Sequence, residues 1–135
     1  MNAHGEFVIQ PIGRVKSSLK NKAEAPHQDN EGAPSAWIEI GDSYSEGIQD
    51  IRVDQEILVF TWFHLSDRDV LKVHPKNDPK QPIKGVFSTR SPARPNPIGL
   101  HRVRVLEVVS GKNLRVDHLD ALDGTPVIDI KPVLK

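Results

Sequence analysis

Between Pro79 and Leu106 the chain carries no acid, yet the stretch holds Lys80, Lys84, Arg90, Arg94, Arg102 and Arg104, with His101 among them. Six cations without a counter-charge make either a solvated face or a surface for an anion or a phosphate backbone. Part of this run is Ser91 to Gly99, SPARPNPIG, whose three prolines stiffen the backbone and lower the entropy lost on binding. Arg90 and Arg94 at such a loop would suit a carboxylate, which a guanidinium can grip with two parallel hydrogen bonds. The plainer alternative is a stiff connector whose arginines pair with surface acids. Two further places hold chemistry-bearing residues. His64 closes the most apolar run and is followed by polar Ser66 and Asp67, so it sits at a pocket rim or finds an ordinary hydrogen-bond partner. Asp123-Gly124-Thr125-Pro126 reads as a β-turn. Asp117, His118 and Asp120 lie just before it, but no second histidine is close by, and surface acids are the simpler reading than a metal site.

Other chemistries are excluded. There is no cysteine, which removes disulfides, thiolate zinc sites, iron–sulfur clusters and cysteine nucleophiles. No GxG occurs, so neither a dinucleotide fingerprint nor a phosphate loop can be built. HExxH and GxSxG are missing too. Lysine plus arginine equals aspartate plus glutamate, 18 each. A uniformly basic nucleic-acid binder is thereby excluded, whereas a local basic patch is not. No apolar run approaches a membrane span, and MNAHGEFVIQPIG lacks the pattern of a signal peptide. The expectation is one cytoplasmic domain over residues 1–135.

The elements that must position these residues are strands. Eleven prolines in 135 residues argue against a helix bundle. Phe7 to Val15 reads as an N-terminal strand bent near Pro11. Lys16 to Ser35 is a long polar loop of the kind that is usually functional or mobile. AWIEI, Ala36 to Ile40, alternates as a strand should. Ser43 to Asp50 suits a helical turn capped by Ser43, with Glu46 three residues on. EILVFTWF, Glu56 to Phe63, predicts a buried central strand. Val70 to Val73 and Ile83 to Thr89 are shorter strand candidates separated by a proline-broken loop. Arg102 to Val109 puts Val103 and Val105 on one face and Arg102 and Arg104 on the other. Leu114 to Leu119 and Val127 to Ile130 complete six to eight short strands. The predicted fold is all-β: a small closed or nearly closed β-barrel with long loops, with a sandwich as second choice.

Several blocks then stand in a telling order. Ile12-Gly13 leads to Ser17-Ser18 and Ala25-Pro26-His27-Gln28, and the run Ile57 to His64 follows. GVFSTRSPARPNPIGL (Gly85 to Leu100) and LDALDGTPVIDIKP (Leu119 to Pro132) complete the set. Together they resemble the TrmO family, also called TsaA-like or YaeB-like, over nearly the whole chain.

That resemblance implies a β-barrel that forms a homodimer and binds S-adenosylmethionine (SAM), without a Rossmann domain, near the dimer interface. It implies methylation of the exocyclic amine of N(6)-threonylcarbamoyladenosine at position 37 in the tRNA anticodon loop, with no metal. Carried over by motif, the SAM contacts are Gln28, His64, Arg90, Arg102, Asp123, Gly124, Thr125 and Pro126. Lys84, Arg94 and Asn96 fall to the substrate, and Leu100 belongs to the same proline-rich block. Asp123, Asp120 and His64 are all open as the proton acceptor. Trp37, Trp62 and Phe87 are stacking candidates, although core packing claims most aromatics in a barrel this small. Two departures stand out. The family usually reads Pro-Arg-Gln where this chain has Pro26-His27-Gln28, which removes a fixed charge. Larger bacterial members carry a C-terminal domain beyond the D-I-K-P block, whereas this sequence stops at Lys135. The alternatives are a methyltransferase of the same fold for a small molecule, or a non-catalytic module that binds SAM or RNA.

Overall fold

A computed structural model describes residues 5–20 and 33–134. Six strands close into a ring in the order β1-β2-β7-β6-β3-β8. They are β1 (Gly13–Lys16), β2 (Ala36–Ile40), β3 (Glu56–Trp62), β6 (Ile98–Val109), β7 (Asn113–Val116) and β8 (Pro126–Pro132). The short strands β4 (Lys72–Val73) and β5 (Lys84–Gly85) pair as a separate two-stranded ribbon. Every neighbouring pair is antiparallel.

Period-two alternation drives this arrangement. In β6, Gly99, His101, Val103 and Val105 point into the ring while Ile98, Leu100, Arg102 and Arg104 point out. Ile38, Ile57, Val59, Leu114, Val116 and Val127 fill the same interior from the other strands. Closing the sheet on itself pairs the ring strands on both sides and leaves no free edge along it.

Because all neighbours are antiparallel, the strand ends sort into two sets. β1, β3 and β7 end where β2, β6 and β8 begin, so the β1–β2, β3–β6 and β7–β8 connections all leave the ring at one end. The opposite end carries the tight β6–β7 hairpin and a 3-10 helix over Asp42–Ile48. Ile48 of that helix is buried in the core, with Tyr44 and Ile51 packed against it. Among the described residues no helix is long and apolar enough to cross a membrane.

Four sequence expectations are corrected. Only Gly13–Lys16 of the stretch Phe7 to Val15 is strand; Phe7 is 84% exposed and Val8 88%, so the apolar residues before Pro11 have no core to enter. Ser43 is not the cap of the helical turn, because Gly41 holds that position without a side-chain hydrogen bond. β3 is buried on one face only: Leu58, Phe60 and Trp62 lie half-buried outside, since a ring has one interior. Only Lys84–Gly85 of the stretch Ile83 to Thr89 is strand; a 3-10 turn over Val86–Ser88 then buries Val86.

A candidate cofactor and substrate site at the three-loop end

The Asp123–Pro126 turn is tied to the end of β1 on both sides. The Asp123 N–H donates to the Leu19 carbonyl at 2.7 Å and the Gly124 N–H to the Val15 carbonyl at 2.8 Å. Gly124 stands at φ +86° with nothing within 4 Å of where a Cβ would be. Glycine is required there by the left-handed backbone and not by crowding. Thr125 is buried, and its hydroxyl donates to the Leu122 carbonyl at 2.7 Å, closing the turn. Pro126, also buried, opens β8.

Asp123 itself is a latch. One carboxylate oxygen accepts the Ser17 N–H at 2.9 Å and the other meets Lys20 Nζ at 3.0 Å. The Ser17 N–H first, and the Lys20 side chain second, hold its carboxyl below the ordinary aspartate value.

The β3–β6 connection lies beside this turn. Thr61 pairs with Val127 at the start of β8 on one side and with Gly99 at the start of β6 on the other. The Phe63 N–H donates to the Pro97 carbonyl at 2.8 Å, which holds the two ends of this connection together. His64 is exposed in the turn after β3, where its N–H donates to the Trp62 carbonyl at 2.9 Å. Below it, Thr61 Oγ1 and His101 Nε2 lie 2.8 Å apart inside the ring. The Phe63 ring meets His101 edge-on, with centroids 5.8 Å apart. A Cβ on Gly99 would come within 2.4 Å of Thr61 Oγ1 and 2.5 Å of the Phe63 ring, so this close approach needs glycine.

Two arginines brace the proline-rich loop. Arg94 donates to the carbonyls of Val86 at 2.9 Å, Ser91 at 3.0 Å and Thr89 at 3.1 Å. From the other side, Arg68 donates to the Pro95 carbonyl at 2.7 Å and to Asn96 Oδ1 at 3.3 Å, and it lies over the Trp62 ring at 5.1 Å. Nothing in the spacing of the sequence links Arg68 to residues 95 and 96; only the returning chain does. Arg90 projects from the braced loop, exposed, and its guanidinium has no partner among the described residues.

His64, Arg90 and Asn96 lie in the β3–β6 connection, with Lys84 on its β4–β5 ribbon, and Asp123 to Pro126 close the β7–β8 connection; both connections leave the same end of the ring. Asp120 is half-buried in the neighbouring β7–β8 connection. Gln28 and His27 lie outside the described residues. Two of the expected residues are placed differently. Arg102 is not at this end: it stands on the outer face of β6, forked onto Glu56 with contacts of 3.0 and 3.2 Å, because inward positions alternate away from it. Arg94 is turned into its own loop, where three backbone carbonyls take its guanidinium. Leu100 is likewise on the outer face of β6.

Two shallow, open concavities, of about 500 and 200 Å3, lie at the opposite end of the ring. The larger is lined by Arg14, Glu39, Asp42 and Lys112, and Lys112 and Asp42 already pair at 2.7 Å. Neither gathers unpaired chemistry of the kind found at the three-loop end, which is therefore the stronger site.

Comparison with known proteins identifies the family. The family described as the tRNA-methyltransferase O N-terminal domain matches residues 14–135. A protein of Methanothermobacter thermautotrophicus named a probable S-adenosyl-L-methionine-binding protein is 46% identical over 127 residues, covering 94% of this chain and 90% of its own length. An Archaeoglobus fulgidus S-adenosyl-L-methionine-binding protein is 45% identical over 125 residues, covering 93% of this chain and 88% of its own. The crystal structure of TrmO from Pseudomonas aeruginosa superposes with a TM-score of 0.74 at 27% identity, over 97% of this chain and 57% of that one. A further TrmO crystal structure gives 0.74 at 31% identity, over 96% and 58%. The chain spans little more than half the length of those TrmO structures. With a family match that runs from β1 through β8, the chain belongs to the tRNA-methyltransferase O N-terminal domain family.

Proposed function

We propose that this protein binds SAM at the three-loop end of its ring and transfers the methyl group to tRNA, the acceptor being the exocyclic amine of threonylcarbamoyladenosine at position 37. The observation that carries the reading is convergence. Connections far apart in sequence leave the ring at one end, and Arg90, in one of them, is exposed without a partner among the described residues. SAM supplies an electrophilic methyl group when bound. The residues present fit such a ligand. Arg90 is free to take its carboxylate, and the backbone around Gly124 leaves open space for a flat ring or a ribose. Gln28 and His64 complete the cofactor contacts, while Lys84 and Asn96 fall to the acceptor.

An amine conjugated to adenine must lose a proton as it is methylated. Asp123 is held ionised by the Ser17 N–H and Lys20, which makes it a weak base and a good clamp. His64, exposed at the end of β3, is the acceptor we assign. A homodimer, with the site near its interface, belongs to the same reading; sedimentation showing a stable monomer with SAM bound would count against it.

The test has two parts. Calorimetric titration of SAM into stripped protein should saturate near one per protomer and weaken on R90A. Methyl transfer to bulk tRNA should then follow. Absence of SAM binding by folded protein would overturn the whole reading. A specific observation favours one alternative. The archaeal relatives that match this chain over nearly their full length are named only for binding SAM, whereas the TrmO structures extend well beyond it. SAM binding with methyl transfer to a metabolite extract but not to tRNA would establish a small-molecule enzyme, and binding with no transfer a non-catalytic module.

A further inference from the structure

Phe87 is 76% exposed, more than any other aromatic among the described residues except Phe7. Its position follows from its neighbours. The 3-10 turn over Val86–Ser88 buries Val86 completely, anchored by the Val86 N–H on the Leu71 carbonyl at 2.9 Å, and so turns the next side chain outward. One face of the ring is backed by Arg94, whose Cζ lies 5.9 Å from the centroid. Arg94 is itself fixed by three backbone carbonyls. The ring is therefore held by a braced cation and is otherwise open to solvent.

Two cations without partners among the described residues stand on the ribbon that leads into this turn. Lys84 precedes Phe87 by three residues, and Lys72 lies across the ribbon from Gly85. Both are exposed, and neither ammonium has a partner among the described residues. By contrast, Arg102 and Arg104 of the same cationic run pair with Glu56. Lys72 and Lys84 on the ribbon are therefore free to meet a ligand, as is Arg90 on the loop that follows.

We infer that the β4–β5 ribbon and the turn after it form a grip for single-stranded RNA, with Phe87 as the stacking platform and Lys72 and Lys84 as phosphate contacts. The inference rests on the RNA reading above and adds the surface. A fixed ring with an open face accepts any base, and flanking ammonium groups supply the sequence-independent charge term. A protein partner is less well matched, because the exposed apolar Leu71 and Ile83 are interspersed with these unpaired lysines.

The experiment is fluorescence anisotropy with a labelled RNA stem-loop and a fully paired duplex of the same length, across a salt series. F87A should weaken stem-loop binding about tenfold or more, and F87W should restore it. The K72A/K84A double variant should lower the salt slope of log affinity by about 1.4. The duplex should respond to the lysines and not to Phe87. Wild-type RNA binding that none of these variants changes would overturn the grip alone and leave the methyltransferase reading intact. A wild type that binds no RNA while binding SAM would overturn both the grip and the tRNA substrate. Concentration-dependent self-association lost in F87A, with RNA affinity unaltered, would reassign the patch to a contact between copies. Melting temperatures of all variants close to wild type would confirm that exposed residues were changed without unfolding.

Discussion

Asp123 holds two donors with one negative charge, and the consequence is testable by pH. Its folded value lies below the ordinary aspartate value of about 3.9. A depressed carboxylate stabilises the fold fully above its unfolded value and loses that contribution as pH falls through its folded one. The stability advantage of wild type over D123N should therefore be present at neutral pH and shrink below about pH 4, which urea unfolding at several pH values will show. The same latch bears on catalysis. If Asp123 clamps and does not accept the proton, D123N should keep methyl transfer within about tenfold of wild type. A loss of about a hundredfold or more would mark it as a general base. Gly99 is the second residue whose chemistry is dictated by what touches it. G99A drives a methyl group into Thr61 and Phe63, and overpacking of this kind should cost about 1–3 kcal/mol in chemical denaturation.

At the scale of elements, the proline-rich loop is the instructive case. Its three prolines remove amide donors, so it cannot join a ladder and must be held by other means. Arg94 and Arg68 supply them from opposite sides. R94A should destabilise the protein by about 1.5–3 kcal/mol, the range for hydrogen bonds to a charged group, with a parallel loss of SAM affinity as Arg90 loses its support. R94K should restore little, because an ammonium lacks the planar fork that reaches three carbonyls at once. Urea midpoints and SAM titrations on the two variants decide this. A variant with normal stability and normal SAM affinity would show that the loop is held by its prolines alone.

At the scale of the whole molecule, the ring is unevenly sealed. β3 and β6 share seven register pairs, from Glu56↔Arg104 to Trp62↔Ile98. β1 and β8 share only Gly13↔Val127 and Arg14↔Pro126. Local opening follows the weaker ladder, so amide exchange should protect β3 and β6 longest and release the Ile12 and Val15 amides first. Equal protection on both sides would mean that the ring opens only as a unit. The weak seam adjoins the Asp123 latch, which ties stability at the β1–β8 closure to the geometry of the candidate site.

The sequence by itself determined most of the strands and the family. Alternation at β2 and β6 follows from side-chain pattern, and the left-handed turn at Gly124 follows from residue type, so both were legible residue by residue. The motif blocks from Gly85 to Leu100 and from Leu119 to Pro132 pointed to the family for the same reason: contiguous residues keep their meaning in one dimension. The pattern was weaker where only the surroundings decide. The apolar residues Phe7 to Ile9 read as strand until the ring leaves them no interior, and Ile83 to Thr89 read as strand until a 3-10 turn buries Val86. Tertiary structure alone decided which cations are free. Arg102 and Arg94 look equivalent to Arg90 in sequence, yet a cross-strand glutamate takes the first and three carbonyls of its own loop take the second. Those partners are fixed by ring closure and chain return, contacts that no local spacing encodes.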